Sequence, residues 1–465
     1  MHTQAADAIA PVEPPTPPLR WSLVAVVCLG VWLHAADTLV TTTVMPSAIA
    51  EIGGLPFVYW TIALYELGSI VAGAMTGLAA ARFGLRDSMC AAALVYALGC
   101  AASALAPSMA VMLVARLVQG LGGGAMLALS YVGVSLLFPE QLWPRVLALV
   151  SGVWGVSSLV GPLVGGALAS VGLWRGAFWA FAAQALVLVA LTPLLIGKAS
   201  TASAEPGAIP GRQILALTVG VLAISAAGVQ GDVAAMVGLI VLGLVGLGLV
   251  LRLEGTARQR LLPPTPFSFA VSWGPGFVMV AALATATVSF TVYGPLLLAK
   301  LFGVVPFTAG LMVAIESVAW TLAAIVFAGA SEGSETTLIR VGAVLAAVAV
   351  AGLAVTMPHG PVWALVPWLT LQGAGFGMCW AFLLRRIVAG VPAGERERAS
   401  SAMPTLQMMG YAVGSAAAGI VVNALGLVEG ASLDVVRTVA FWVFAAFLPP
   451  AALGVVAAWR VPARA

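Results

Sequence analysis

The sequence predicts an all-α polytopic membrane protein, and three observations support this prediction. Of the 465 residues, 62% are hydrophobic and 8% are charged, whereas soluble domains carry roughly 25% charged residues. The apolar residues form continuous runs of close to twenty residues, the length that an α-helix needs to cross a bilayer. They do not alternate with polar residues over short segments, as in a membrane β-barrel. A soluble protein and a nucleic-acid-binding protein are excluded, because twenty scattered basic residues form no basic face.

The first twenty residues differ in composition from the rest of the chain. Residues 1–20 contain five prolines together with Asp7 and Glu13. This composition predicts a disordered cytoplasmic tail, and the missing basic start argues against a cleaved signal peptide. We therefore expect the first apolar run to span the membrane and remain.

Fourteen apolar segments follow, arranged as groups of six, two and six. The predicted spans are Trp21–Val44, Tyr59–Ala79, Ser88–Leu105, Met109–Leu137, Val146–Leu168, Ala177–Ile196, Ile214–Val229, Val233–Leu251, Phe277–Leu298, Phe307–Phe327, Leu338–Thr356, Trp363–Leu384, Ala402–Leu425 and Val439–Trp459. The expected units are a tail (1–20), an N-terminal six-helix bundle (21–196), a cytoplasmic loop (197–213), an extra helix pair (214–251), a second cytoplasmic loop (252–276), a C-terminal six-helix bundle (277–459) and a cytoplasmic tail (460–465).

The basic residues test this count, because short cytoplasmic loops carry an excess of Lys and Arg. With fourteen spans and the N-terminus inside, sixteen of the twenty basic residues fall on the cytoplasmic side. They are Arg20, Arg82, Arg86, Arg145, Lys198, Arg212, Arg252, Arg258, Arg260, Arg340, Arg385, Arg386, Arg396, Arg398, Arg460 and Arg464. Arg175, Lys300 and Arg437 fall outside, and Arg116 lies within a helix. If residues 213–251 crossed the membrane once instead of twice, the C-terminal half would be inverted and its basic loops would lie outside. Thirteen spans are therefore excluded.

Four short motifs occur at the first, second, fourth and fifth predicted helices. They read DTLVTTTVMP (37–46), GLAAARFGLR (77–86), RLVQGLG (116–122) and GPLVGG (161–166). They resemble the LDxTIVxxALP, GxLaDRxGrk, RxxQGxG and GPxxGG motifs of the major facilitator superfamily. With the layout of six, two and six, the chain resembles the drug:proton antiporters with fourteen transmembrane helices over nearly its whole length.

The resemblance implies the major facilitator fold, with two six-helix bundles and an inserted pair of transmembrane helices. It also implies conformational roles for the motif residues Gly77, Arg82, Gly84, Arg86, Gln119, Gly120, Gly161, Pro162, Gly165 and Gly166. In the family, the helix-five motif favours antiport by limiting leak. Ala81 stands where the family has an acidic residue that helps to latch the two halves in the outward-facing state, and Asp87 is the nearby candidate to replace it.

Ionisable residues inside apolar segments are functional candidates, because a charge in lipid costs at least a few kcal/mol. They are Asp37, Glu66, Arg116 and Glu316. The first three each lie seven residues from the outer end of their helix, so we expect them in one layer of the N-terminal half. Our hypothesis is that Asp37 or Glu66 binds the coupling proton and that Arg116 tunes it, with Glu316 as a further candidate. The alternative is a permanently ionised pair of Arg116 with Asp37 or with Glu66 that only fixes packing.

A lipophilic substrate requires large, adaptable or aromatic side chains, which also attract cations through their π faces. The candidates within spans are Tyr65, Trp154, Tyr293, Trp320, Trp380, Gln407, Met408 and Tyr411. Trp320 lies four residues after Glu316 and shares its helical face. We expect His34 to be a packed helix histidine and the glycine runs to serve helix packing. A phosphate-binding loop is excluded, because no strand precedes these runs and no Lys-Ser/Thr follows.

The sequence therefore predicts a proton-coupled exporter (antiporter) of lipophilic small molecules, cations among them, of the multidrug-efflux type, working by alternating access. A facilitator-type transporter of a lipid or metabolite without proton antiport remains the alternative. An enzyme is not expected, because the three histidines are far apart and no nucleophile or metal cluster occurs. We expect no metal and no cofactor, only the proton as coupling ion. The expected partners are substrate and membrane lipids for a monomer in a bacterial cytoplasmic membrane, with both termini cytoplasmic.

Overall fold

The structure, a computed structural model, describes residues 18–197, 210–256 and 260–462. Within these ranges the chain forms fourteen α-helices and no strand. The helices are α1 (Trp21–Ile52), α2 (Trp60–Leu105), α3 (Met109–Leu137), α4 (Trp143–Ser170), α5 (Trp174–Leu195), α6 (Gly211–Ala227), α7 (Val233–Thr256), α8 (Gly274–Phe302), α9 (Pro306–Phe327), α10 (Glu335–Thr356), α11 (Val366–Gly390), α12 (Arg396–Ala424), α13 (Leu433–Ala445) and α14 (Leu448–Arg460). Most of the expected N-terminal tail lies outside the described residues, as do Lys198, Arg258 and Arg464.

Twelve helical stretches of the described residues are long and apolar enough to cross a membrane, and α6 is a shorter apolar helix of 17 residues. The predicted count of fourteen spans is therefore not confirmed. It requires that α2 cross twice and that α6 cross as well. The helices α13 and α14 together form one of the twelve stretches, since the chain breaks only briefly before Pro449 and Pro450.

The long helix α2 turns back on itself at Gly84. This residue has φ 80° and ψ 160°, a conformation that only glycine adopts without strain. The two parts of α2 lie side by side, because Tyr65 and Tyr96 both contact the same turn of α3 at Gly120 and Gly122. The sequence placed separate spans on either side of this residue, and the structure joins them by a tight turn.

The helices pack in two groups, with one pair between them in the sequence. One half consists of α1–α5 and the other of α8–α14, and the halves meet where α4 packs on α9 and α2 packs on α12. The helix α7 packs mainly on α6, while α6 also contacts α2 and α12. Apolar residues of α2, α6 and α12 form one cluster at this seam. The predicted limits of the two bundles and of the inserted pair stay a prediction.

Two faces of the molecule are defined by the helix ends. We call the side where α1 ends and α2 begins the Pro56 face, and the side of the α2 turn the Gly84 face. At the Pro56 face, Arg175 bonds to Glu51 at 2.9 Å and to the carbonyl of Ala104 at 2.7 Å. These bonds tie together the ends of α1 and α2 and the start of α5.

Candidate functional site

An ion pair lies at the centre of the half formed by α1–α5. Arg116 Nη1 donates to Asp37 Oδ2 at 2.8 Å, and both side chains are 0% exposed. Gln119 Nε2 donates to the other oxygen of Asp37 at 2.9 Å, and Arg116 Nε donates to the carbonyl of Thr61 at 3.2 Å. Both oxygens of the Asp37 carboxylate are thus engaged. Asp37 and Arg116 thus lie at the same depth, as expected, and Gln119 lies beside them.

Two aromatic side chains connect the ion pair to the edge of the half. The guanidinium carbon of Arg116 lies 4.3 Å from the centre of the Tyr65 ring. The Tyr65 hydroxyl lies 3.1 Å from Nδ1 of His34, and the two rings stack at 5.5 Å. Trp154, which is 39% exposed, contacts His34 edge-on at 6.0 Å. His34 is packed, as expected, but it also bonds to Tyr65, which the sequence did not indicate.

Glycines of α3 allow the helices to approach closely enough for these bonds. A Cβ atom at Gly120 would overlap the carbonyl oxygen of Tyr65, and one at Gly124 would overlap the backbone of Ser69. On the other side of α3, a Cβ at Gly122 would overlap the backbone of Tyr96. The glycine run therefore serves packing, as expected, and it holds Arg116 and Gln119 against α1 and α2.

Glu66 differs from Asp37, because it is buried without an ion-pair partner. It is 3% exposed, and its Oε2 atom has no hydrogen-bond partner. It lies within electrostatic range of Asp37 and Arg116. An ionised carboxylate here would be an uncompensated buried charge, and such a charge costs several kcal/mol. Glu66 can therefore hold a proton without breaking any ion pair.

In the other half, Glu316 and three aromatic rings form a second group. Gln372 Nε2 donates to Glu316 Oε1 at 2.8 Å, and Glu316 is half-buried. One turn later, Trp320 stacks on Phe376 at 5.0 Å and contacts Trp380 at 5.7 Å. The structure thus brings together the predicted residues of α9 and α11. Sequence reasoning missed Gln372, although a lone glutamine in an apolar segment was the available signal.

The helix α12 places polar side chains between the two acidic groups. Gln407 Nε2 donates to the Tyr411 hydroxyl at 2.9 Å, and Tyr411 lies within electrostatic range of both Glu66 and Glu316. Met408 is partly buried in the seam between α2, α6 and α12. Tyr293 is fully buried in α8 and its hydroxyl has no partner. Tyr411 therefore bridges the seam between the halves, and Tyr293 lies within electrostatic range of Tyr59 across it.

The halves are in contact at the Pro56 face. Ser170 Oγ accepts from the Phe307 amide at 2.9 Å, and Asn423 Nδ2 donates to the Pro56 carbonyl at 2.9 Å. The GPLVGG motif forms part of this contact, since a Cβ at Gly166 would crowd Pro306. Gly161 and Gly165 of the same motif pack on α1, and the Pro162 carbonyl lies against Gly310 of α9.

Towards the Gly84 face, the space beside α2 and α4 is open. Gly73, Gly77 and Gly152 have nothing within 4 Å of an added Cβ atom, in contrast to Gly166 and Gly310, where the halves meet. Around the turn, Arg82 lies over the ring of Phe83 at 5.4 Å, and Arg86 pairs with Asp87 at 2.8 Å. Asp87 thus bonds within its own loop, and its role as a latch stays a prediction.

The described residues contain no cluster of three or more His, Cys, Asp or Glu side chains that could hold a metal ion. The four cysteines are free thiols, two of them buried and two half-buried.

Comparisons with known proteins agree with the motifs. The sequence profile of the Major Facilitator Superfamily matches residues 27–356. A probable multidrug-efflux transporter of Mycobacterium tuberculosis (strain H37Rv) is 30% identical over 451 residues, which cover 94% of this chain and 93% of that protein. A multidrug efflux pump of Staphylococcus aureus (strain N315) is 22% identical over 306 residues, covering 64% of this chain and 67% of the pump.

Solved structures of transporters have the same fold. The POT family transporter PepTSo superposes with a TM-score of 0.67 at 13% identity, covering 95% of this chain and 98% of that one. The xylose transporter XylE from Escherichia coli, in an inward open conformation, gives a TM-score of 0.63 at 16% identity, with 94% of each chain covered. At such low identity the likeness concerns the fold alone. It confirms the predicted class of two helix bundles in a multi-pass membrane protein.

Proposed function

Because the chain belongs to the Major Facilitator Superfamily, a family of transporters and not of enzymes, we propose that it is a proton-coupled exporter of lipophilic small molecules, cations among them. The relatives named as multidrug-efflux proteins support the direction and the substrate class. The single observation that carries the coupling is Glu66, a buried carboxyl group with an unpaired oxygen at the seam between the halves. Such a group can take up and release a proton as the seam opens and closes.

Asp37 and Arg116 have a supporting part in this proposal. Both oxygens of Asp37 accept hydrogen bonds from cationic or amide donors, so its negative charge is matched within the bundle. The pair holds the Arg116 guanidinium within electrostatic range of Glu66 and over the Tyr65 ring. Neutralising Asp37 would free Arg116 to attract the ionised form of Glu66, and the proton would then leave at the wrong stage of the cycle.

The substrate lies between the halves in the proposed mechanism. The stacked rings of Trp320 and Phe376 offer an apolar, π-rich wall, and Glu316 lies one turn away on the same helix. Tyr411 lies within electrostatic range of both Glu66 and Glu316, so the charge of either carboxyl group acts on it. A lipophilic cation entering the cleft lowers the electrostatic cost of an ionised carboxylate, so the proton leaves. Protonation from the other side reverses this and releases the substrate.

We propose a bacterial cytoplasmic membrane as the location, with the Gly84 face and both termini on the cytoplasmic side. The basic residues near the Gly84 face support this orientation, following the positive-inside rule. Fourteen crossings follow if α2 crosses on both sides of Gly84 and α6 crosses together with α7. The predicted units at 21–196, 214–251 and 277–459 are part of this proposal, as is a monomer that binds substrate, protons and lipids without a further cofactor.

The decisive experiment uses purified protein in liposomes, with tetraphenylphosphonium as a cationic probe and a pH gradient as the driving force. Glu66→Gln keeps the shape of the side chain and removes the exchangeable proton. We expect this variant to lose pH-driven transport and substrate-induced proton release, and we expect Asp37→Asn to do the same. Glu140→Gln is the matched control, because Glu140 is exposed in the α3–α4 connection.

Normal pH-driven transport by both Glu66→Gln and Asp37→Asn would sink the coupling scheme. Transport of the probe down its own gradient, unchanged by pH in the parent protein, would favour the facilitator-type alternative. If the protein transports no cationic probe, its substrates are restricted to neutral lipophilic compounds, which the same assay then tests.

A further inference from the structure

The inserted helix pair touches both halves of the transporter at one place on the Pro56 face. The side-chain amide of Asn423, near the end of α12, donates to the Pro56 carbonyl and to the Gly228 carbonyl, each at 2.9 Å. Pro56 belongs to the half formed by α1–α5, and Gly228 follows the last residue of α6. Asn423 is the only asparagine of the chain. One amide group therefore holds three parts of the molecule together.

A second bond closes the same contact from the other side. The Tyr59 hydroxyl donates to the Ser225 carbonyl in the last turn of α6 at 2.6 Å. Tyr59 is 0% exposed, although it lies just before α2 at a face of the protein. The hydroxyl thus bonds the half formed by α1–α5 to the inserted pair.

Glycines make this contact close. A Cβ atom at Gly419 would overlap the Tyr59 ring, and one at Gly228 would crowd both the Tyr59 hydroxyl and the Ile420 amide. The Tyr59 ring is thus enclosed between α12 and the end of α6. No side chain larger than hydrogen fits at either glycine without moving the ring.

We propose that the end of α6 is a clasp that stabilises the transporter in its outward-closed state, and that this is the function of the inserted pair. In alternating access, the ends of α2 and α12 at the Pro56 face must separate when the outer side opens. Asn423 then loses the Pro56 carbonyl, and Tyr59 loses the Ser225 carbonyl, because α6 packs more on α12 than on α2 and stays with it. The three-way contact exists in full only while this face is closed. The proposal rests on alternating access, and it does not depend on the proton coupling.

In the competing interpretation the inserted pair is a passenger: it fills lipid-facing space, and its contacts only add stability. The two interpretations predict different effects on parts of the protein that the pair does not touch. A clasp controls the whole Pro56 face, including the α4–α9 contact between Ser170 and Phe307 on the other edge of the seam. A passenger affects only α6, α7 and their immediate neighbours.

Hydrogen exchange of the full-length protein in detergent, read by mass spectrometry, separates them. In Tyr59→Phe and Asn423→Ala we expect faster amide exchange at residues 304–312, far from the substitutions. A lost hydrogen bond shifts the balance of closed and open states by roughly fivefold, so the exchange rate should rise by a similar factor, and by more for Asn423→Ala, which removes two bonds.

Tyr96→Phe is the matched control. Tyr96 is also 0% exposed and donates to the Leu33 carbonyl at 2.9 Å, but both residues belong to the same half. We expect unchanged exchange at 304–312 in this variant. Equal acceleration in Tyr96→Phe, or faster exchange confined to α6 and α7 in the two test variants, would overturn the clasp. Tyr59→Phe removes one oxygen atom only, so the test remains decisive if Asn423→Ala fails to fold.

Discussion

Asp37 forms an ion pair with Arg116 and accepts a hydrogen bond from Gln119, whereas Glu66 and Glu316 form no ion pair among the described residues. This difference decides which acid can exchange a proton with the cleft. A carboxylate whose two oxygens both accept hydrogen bonds must break one of them before it can take up a proton. A carboxylate without such partners need not. In the proposed mechanism Asp37 therefore belongs to the framework of the site, and Glu66 is the group that exchanges a proton.

Removing Asp37 should leave a buried cation without a counter-charge. We expect Asp37→Ala to destabilise the protein by about 3–5 kcal/mol, because breaking one side of a buried pair leaves the other charge uncompensated. The double variant Asp37→Ala with Arg116→Met removes both charges and should recover much of this loss. Thermal unfolding in detergent, followed by tryptophan fluorescence, measures both. An equal loss in the single and the double variant would contradict this account.

The sequence predicted the depth of these residues but did not decide whether Arg116 pairs with Asp37 or with Glu66. Counting residues from the helix ends placed Asp37, Glu66 and Arg116 in one layer, because the rise per residue is fixed. Which side chains meet depends also on the rotation of each helix about its axis. That rotation is set by the glycines of α3 packing on α2, so the bond from Gln119 to Asp37 and the contact of His34 with Tyr65 could not be predicted.

At the scale of the elements, small residues determine how close the helices come. The α2–α3 contact depends on Gly120 and Gly124, where an added Cβ would overlap backbone atoms. By contrast, Gly152 of α4 has open space around it. Glycine thus permits close packing in α3, whereas at position 152 of α4 it has no neighbour to accommodate.

These two environments give a matched comparison. Gly120→Ala should destabilise the protein by about 1–3 kcal/mol, since overpacking against backbone cannot be relieved by a rotamer change. Gly152→Ala should be neutral or slightly stabilising, because alanine is the better helix former and meets no neighbour. Thermal unfolding of the two variants side by side is the measurement. A larger loss for Gly152→Ala would show that the assignment of the two environments is wrong.

The ends of the elements were harder to predict than their existence. Apolar runs mark only the part of a helix that lies in lipid, so α1 was expected to end at Val44 and continues to Ile52. In the same way α12 begins at Arg396, before the apolar run starts. The hydrogen bonds of a helix continue into the interfacial region, where polar residues no longer reveal it.

For the whole molecule, the sequence predicted the two halves because their spans and basic loops obey simple rules. It could not predict which face is closed, since both states of an alternating-access transporter share one sequence and one set of spans. The contacts between the halves at the Pro56 face and the open space beside Gly152 are properties of this conformation.

Single cysteines in exposed turns should test the proposed orientation and the crossing of α6. Gln141→Cys should react with a membrane-impermeant thiol reagent only from the cytoplasmic side, and Gln230→Cys and Glu429→Cys only from outside; all three positions are exposed. The parent protein is the control for the four native thiols. If α6 does not cross, Gln230→Cys and Glu429→Cys would both react from the cytoplasmic side instead.

The neutral Asp37–Arg116 pair also has an electrical consequence. Because this pair carries no net charge, the charge moved in each proposed cycle depends on the protons bound by Glu66 and Glu316 and on the substrate. An uncharged compound that leaves in exchange for one proton moves one positive charge inward, and a potential of 100 mV, negative inside, contributes about 2.3 kcal/mol to that step. A monovalent cation leaving for one proton moves no net charge. Membrane voltage would thus assist the expulsion of neutral compounds, whereas singly charged ones would depend on the pH gradient alone.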